Sequence, residues 1–334
     1  MSKKTSLAAR VAAAATTALL AVGLAACGGS SGANAPAGGA SSEALTLGFA
    51  QVGAESGWRT ANTKSIQDSA AAAGVNLKFS DAQQKQENQI KAIRSYIQQR
   101  VDMIAFSPVV ETGWDTVLQE AKRAQIPVIL TDRAVDTPDT TLYKTFLGSD
   151  FVAEGKKAGD WLVGAEKTAT GPVAIVQLEG TTGSAPAIDR TKGFADAIAT
   201  NPSLKVVASQ TGDFTRSGGK QVMEAFLKSQ PKIDVVYAQN DDMGLGAIEA
   251  IQAAGKTPGK DIKIITVDAV KDGMQALSDG KINFIVECSP LLGPQLMDLA
   301  KKVKDGQAVP TRVLTQETTF DQAAAQAALP ERKY

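Results

Sequence analysis

VDMIAFSPVVETGWDTVLQEAKRAQIPVILTD, residues 101–132, decides the fold. Two short apolar runs, VDMIAFS (101–107) and IPVILTD (126–132), flank a stretch at 113–124 patterned as a helix. Near-continuous apolar runs of this length are expected of parallel strands covered on both faces. A strand, a helix and a strand within about 30 residues form a βαβ unit with a right-handed crossover.

The same alternation runs outward in both directions. Further candidate strands are 45–52, 75–80, 172–178, 204–210, 233–239, 262–268 and 282–288. Helical patterns occupy 57–73, 86–99, 150–164, 184–199, 215–229, 241–254 and 290–304. In the second of these, Ile90, Ile93 and Ile97 share one face, with Lys91, Arg94 and Gln98 opposite. So many units overfill a single sheet. The chain reads as an α/β protein of two lobes, cut near Ser149–Phe151.

Composition narrows the chemistry. There is no histidine among 334 residues, so no Ser-His-Asp or Cys-His unit and no imidazole metal ligand can form. Lys+Arg and Asp+Glu both number 35, which lacks the basic surplus of a nucleic-acid binder. Phosphate loops fail on inspection: in 212–220 a P-loop would need glycine where Phe214 stands, and after Gly244 and Gly246 the third dinucleotide position is Glu249. The cluster Asn240-Asp241-Asp242 is the one hint of a hard-cation site, and neither a metal nor a cofactor is expected.

The amino terminus reads as an address. Lys3, Lys4 and Arg10 precede the apolar stretch Val11 to Gly23, and Leu24-Ala25-Ala26-Cys27 follows. That tetrapeptide resembles a bacterial lipobox, which implies cleavage after residue 26 and a lipid on Cys27. Residues 28–43 are a Gly/Ser/Ala tether. Losing residues 1–26 removes three positive charges and no negative ones, leaving 32 against 35, a net charge of −3. Cys288 is then the one cysteine without lipid, so no internal disulfide is expected.

In open α/β sheets, ligands bind beyond the carboxyl ends of the strands. There the chain places Gln51 with Glu55, Trp58 and Arg59, then Asp132-Arg133, Asp213-Phe214, Asn240-Asp241-Asp242, Asp268 and Glu287. Carboxylates, amides and guanidiniums beside aromatic rings suit a polyhydroxyl ligand with weakly apolar C–H faces.

These residues carry a resemblance. Gly48-Phe49-Ala50-Gln51, Thr131-Asp132-Arg133, Ile188 to Phe194, Ala238 to Met243 and Thr266-Val267-Asp268 resemble periplasmic-type sugar-binding proteins of the ribose-binding class. Gln51 to Arg59, Gln83 to Gln89 and Gly212 to Arg216 are most similar to the galactofuranose-binding branch. The resemblance implies a type I periplasmic binding protein fold: two Rossmann-like lobes with parallel sheets, joined by a three-strand hinge. It places the first lobe at 44–149 with 289–315 and the second at 150–288 with 316–334. It implies a non-enzymatic, monomeric receptor that closes over a monosaccharide and delivers it to an ABC transporter permease, held to the membrane by its lipid alone. A signalling receptor with the same site is the alternative.

Carried over by position, the resemblance implies the following contacts: Trp58 would stack on the sugar and Arg59 would hydrogen-bond to it. Asp132 and Arg133 hold ring hydroxyls. Arg190, Phe214, Asn240 and Asp268 act from the second lobe, and Glu55 is a further candidate. Relatives carry a glutamine near Glu287, a place that Cys288 could also take. Strand alternation favours Glu287, since Phe284, Val286 and Cys288 form the apolar face.

Overall fold

The computed structural model describes residues 44–334, so the expected signal segment, the tether and Cys27 lie outside the described residues. The first half runs β1 (Thr46–Gln51), α1 (Gly57–Ala73), β2 (Asn76–Asp81), α2 (Gln86–Gln98), β3 (Met103–Phe106), α3 (Asp115–Arg123), β4 (Val128–Thr131) and β5 (Thr145–Gly148). The second runs α4 (Phe151–Ala165), β6 (Val173–Glu179), α5 (Ala185–Ile198), β7 (Leu204–Thr211), α6 (Arg216–Ser229), β8 (Val235–Ala238), α7 (Asp241–Ala253), β9 (Lys263–Asp268), α8 (Lys271–Ser278) and β10 (Phe284–Glu287). The chain then returns through α9 (Gly293–Lys304), β11 (Arg312–Leu314), β12 (Thr319–Phe320) and α10 (Gln322–Ala328).

Two sheets result, ordered β11-β5-β4-β3-β1-β2 and β12-β10-β9-β8-β6-β7. Every pairing is parallel except β10 with β12. Both are doubly wound, with the order reversing beside β1 and β6, and each borrows a last strand from the returning chain. This is the type I periplasmic binding protein fold. The backbone passes between sheets after β5, after β10 and between β11 and β12.

Period-two alternation explains why the strands look apolar throughout. Met103 and Ala105 face α1 and α9, whereas Ile104 and Phe106 face α2 and α3. In the second sheet Phe284 and Val286 pack under α4 and α5, and Ile285 packs under α7 and α8. Helix starts are set by local caps: Ser56 accepts from Arg59 N–H, Thr215 from Gly218 N–H and Asn240 from Met243 N–H.

β5, β11, β12, α8 and α10 are additions to the sequence reading. The added strands are two to four residues long, and polar residues hem in each short apolar stretch. The tail is not idle either. Arg332 Nη1 and the Tyr334 hydroxyl both donate to Glu287 Oε1, at 2.7 and 3.0 Å.

Glycines let α4 and α5 cross in near contact. A Cβ on Gly155 would lie 2.2 Å from the Arg190 carbonyl oxygen, and one on Gly193 would lie 2.0 Å from that of Val152. Backbone cannot yield as a side-chain tip can. Gly193→Ala is therefore expected to destabilise the protein by about 1–3 kcal/mol. Calorimetric unfolding should show a midpoint several degrees lower, and an unchanged midpoint would refute this account of the crossing.

Candidate functional site

One cavity with about 290 Å³ of atom-free space lies between the carboxyl ends of the two sheets. Its walls include Glu55, Trp58, Arg59, Asp132, Arg133, Arg190, Phe214, Asn240 and Asp268. Nine of the ten residues named from the sequence are thus brought together. Ser56, Phe151, Pro186 and Cys288 complete the lining.

Glu287 is a correction. Its side chain lies on the far side of β10, accepting from Arg332, Tyr334 and Thr318 N–H. The strand alternation was read correctly, but its consequence was not. The cavity opens past the end of β10, toward α4 and α5, and it is the apolar set ending in Cys288 that points there.

Turns after the strands aim these side chains. Asp132, Phe214 and Asp268 have φ of 60°, 59° and 122°. Non-glycine residues avoid that region, and such strain gathers where a site over-determines the backbone. Gly180, just past β6, makes room for Phe214: a Cβ there would lie 1.9 Å from the ring. Asn240 is occupied from both ends, its Oδ1 capping α7 and its Nδ2 donating to the Phe214 carbonyl at 3.0 Å. It holds the ring that it sits beside.

Three buried guanidiniums set the electrostatics. Arg59 lies 2.7 Å from Asp132 Oδ2 and 3.0 Å from Glu55 Oε1. Burial works against its charge, but Asp132 and Glu55 outweigh burial and strengthen its hold on the proton. Glu55 is likewise opposed by burial, yet Arg59 and Arg133 draw its pKa below the ordinary value.

Arg133 is served less well. Its nearest carboxylates, on Glu55 and Asp132, stand 3.7 Å away. Burial, then Arg59, lower its pKa to about 10, so it stays charged at neutral pH. Its guanidinium faces the Phe214 ring across the cleft, 5.3 Å from the centroid.

In the second lobe Arg190 donates to Glu154 Oε2 at 2.7 Å and to the Gln239 carbonyl at 2.6 Å. Asp268 Oδ1 lies 3.8 Å from it. Burial raises the pKa of Asp268 well above the carboxylate range against the pull of Arg190. Glu55 Oε2, Asp132 Oδ2 and Arg133 Nε have no aligned hydrogen-bond partner among the described residues. Buried polar atoms are rarely left so.

The lobes touch over the cavity. Gly57 N–H donates to Asp242 Oδ2 at 2.8 Å, and Glu111 N–H to the Gly183 carbonyl at 2.9 Å. Asp241 turns inward to Val270 N–H and the Thr266 hydroxyl. The acidic pair thus serves closure and core.

A family model described as a periplasmic binding protein domain matches residues 47–308. The chain belongs to that family. It is 49% identical over 294 residues to the galactofuranose-binding protein YtfQ of Escherichia coli (strain K12), covering 86% of this chain and 92% of that protein. A Mycobacterium smegmatis structure in complex with β-D-fucofuranose is 73% identical, with a TM-score of 0.86 over 87% of this chain and 96% of that one. The binding component of an arabinose ABC transporter from Shewanella sp. ANA-3, bound to α- and β-L-arabinofuranose, is 48% identical, with a TM-score of 0.83 over 86% and 96%. Periplasmic binding proteins of this kind bind solutes and are not enzymes.

Glu154 and Phe151 escaped the sequence reading of the site, whereas Cys288, the alternative to Glu287, lines it. Glu154 had a signal: an acid on the stripe Phe151, Glu154, Ala158 and Leu162 that α4 buries. Burial pushes the Cys288 thiol well above its usual value, and the nearby Glu154 and Glu317 add to this. Only the thiolate is nucleophilic. Iodoacetamide at mildly alkaline pH should therefore leave Cys288 unmodified in the folded protein and label it in denaturant, as read by peptide mass spectrometry. Rapid labelling of the folded protein would contradict the burial.

Proposed function

We propose that this protein captures a monosaccharide in its furanose form between the two lobes and delivers it to an ABC-type importer. The observation that carries this reading is the pair of buried polar atoms without hydrogen-bond partners among the described residues, Glu55 Oε2 and Arg133 Nε, beside the Phe214 ring. A carboxylate oxygen that lacks a donor suits a hydroxyl hydrogen, and a guanidinium N–H that lacks an acceptor suits a hydroxyl oxygen. An aromatic face suits the sugar's C–H side.

Charge supports a neutral ligand. In the first lobe Arg59 and Arg133 have the carboxylates of Glu55 and Asp132 beside them, so an anionic ligand would meet little free positive charge there. The ligands printed for similar proteins, galactofuranose, fucofuranose and arabinofuranose, support the furanose form.

Delivery follows from the family. A lipid on Cys27 and the tether of 28–43 would hold the receptor beside its permease and raise its effective concentration. The receptor acts as a monomer, with the membrane reached through the lipid alone.

The test is thermal unfolding against a sugar panel, using protein refolded to remove any co-purified ligand. D-galactose, D-fucose or L-arabinose at 100 times its Kd should add about 2.7 kcal/mol, a rise of some degrees. Arg133→Met should lose this rise, because it removes both the donor and the contact with Phe214. Absence of a rise with every sugar would overturn the reading. Separately, Cys27→Ser should move the protein from the membrane fraction to the soluble one.

A further inference from the structure

All three crossings between the lobes converge on one carboxylate. Glu317 Oε1, on the third crossing, accepts from the hydroxyls of Ser149 and Thr315 at 2.5 and 2.7 Å, and from Ser289 N–H at 3.0 Å. Ser149 lies on the first crossing and Ser289 on the second. The Ser149 hydroxyl is also 3.4 Å from Cys288 Sγ.

Glu154 faces this knot from the first turn of α4. Carboxylate oxygens of Glu154 and Glu317 and the Cys288 sulfur lie within 4.8 Å of one another. Glu154 is buried, and its Oε2 takes the Arg190 bond. Its Oε1 has no hydrogen-bond partner among the described residues. Two carboxylates this close, with Glu154 buried and Glu317 half-buried, do not both hold their charge easily. Three donors already serve Glu317 Oε1 and none serves Glu154 Oε1, so Glu154 is the one that takes the proton.

The groups facing Glu154 bear this out. Arg190 comes from α5, Tyr237 from β8, Asp268 from the end of β9, Cys288 from beyond β10, and Glu317 from the third crossing. Arg190 is the one cation among them. Burial first, then Glu317, prevail over Arg190 and push the carboxyl of Glu154 up to about 8.

Opening treats these neighbours differently. Glu154 and Arg190 ride together on the second lobe, so their pair persists. Glu317 and Cys288 sit on crossings whose backbone must turn, and water enters as they part. The proton is then held tightly only when the lobes are shut.

We propose that Glu154 is a positioning residue for Arg190 that takes up a proton as the lobes close, so that capture of the sugar is coupled to proton uptake. This rests on the sugar reading above. The sign follows from linkage: a carboxyl with a higher pKa in the closed form favours closure while it is protonated in both forms. Affinity then weakens as pH rises toward about 8 and levels off beyond it.

The experiment is isothermal titration of the full-length protein with L-arabinose, D-fucose and D-galactose, from about pH 6 to about pH 9, in two buffers of different ionisation enthalpy. Wild type should lose about tenfold in affinity across this range and take up a fraction of a proton per sugar. Glu154→Gln keeps an oxygen for Arg190 and cannot titrate, so both the slope and the uptake should vanish. Glu317→Gln, which removes the repelling charge, should flatten the slope and serves if the first variant does not fold. Binding with a flat profile in wild type, or a slope that survives in Glu154→Gln, overturns the proposal and leaves the sugar reading intact. If none of the sugars binds at any pH, the sugar reading fails, and with it the coupling to capture. ¹³C NMR of the glutamate carboxyls then decides the proton itself. A resonance titrating far above the carboxylate range, absent from Glu154→Gln, supports it, and the lack of one overturns it.

Discussion

Keeping three buried guanidiniums charged around one cavity is the constraint on which the rest of the structure depends. A lone buried charge costs several kcal/mol, so each arginine needs acids brought to it. The acids come from far apart in the chain. Glu55 leads into α1 and Asp132 follows β4, whereas Glu154 opens α4 and Asp268 ends β9. Strained turns at Asp132 and Asp268, and the glycines at the α4–α5 crossing, are local costs of that assembly.

The balance is deliberately uneven. Arg59 and Arg190 each have a carboxylate within 2.7 Å, but Arg133 has none closer than 3.7 Å. The weakest-held guanidinium is also the one beside Phe214, across the cleft from its own lobe. A ligand hydroxyl there would complete what the protein leaves unfinished.

Much of this was legible before any coordinates. Strands set in near-continuous apolar runs and helices with clear stripes stood out because several apolar residues follow one another at the spacing of the element. The site was legible because residues that follow parallel strands must converge on one edge, so Asp132, Phe214, Asn240 and Asp268 could be gathered from positions alone. Short edge strands such as β11 and β12 were not, since they are defined by their partners. Glu287 misled because alternation separates the two faces of a strand but does not tell which face the cavity meets: here it is the apolar one, ending in Cys288. The role of the tail depends on Arg332 and Tyr334 finding Glu287, 45 and 47 residues earlier, which no local pattern announces.

The bonds from Gly57 to Asp242 and from Glu111 to Gly183 carry a kinetic consequence. Both bonds tie one lobe to the other, so separating the lobes requires breaking them. If an occupant leaves only as the lobes part, its departure cannot be faster than that opening. Occupants held with different strengths inside would then share one ceiling on how quickly they leave. Throughput would be a property of the lid rather than of the cargo.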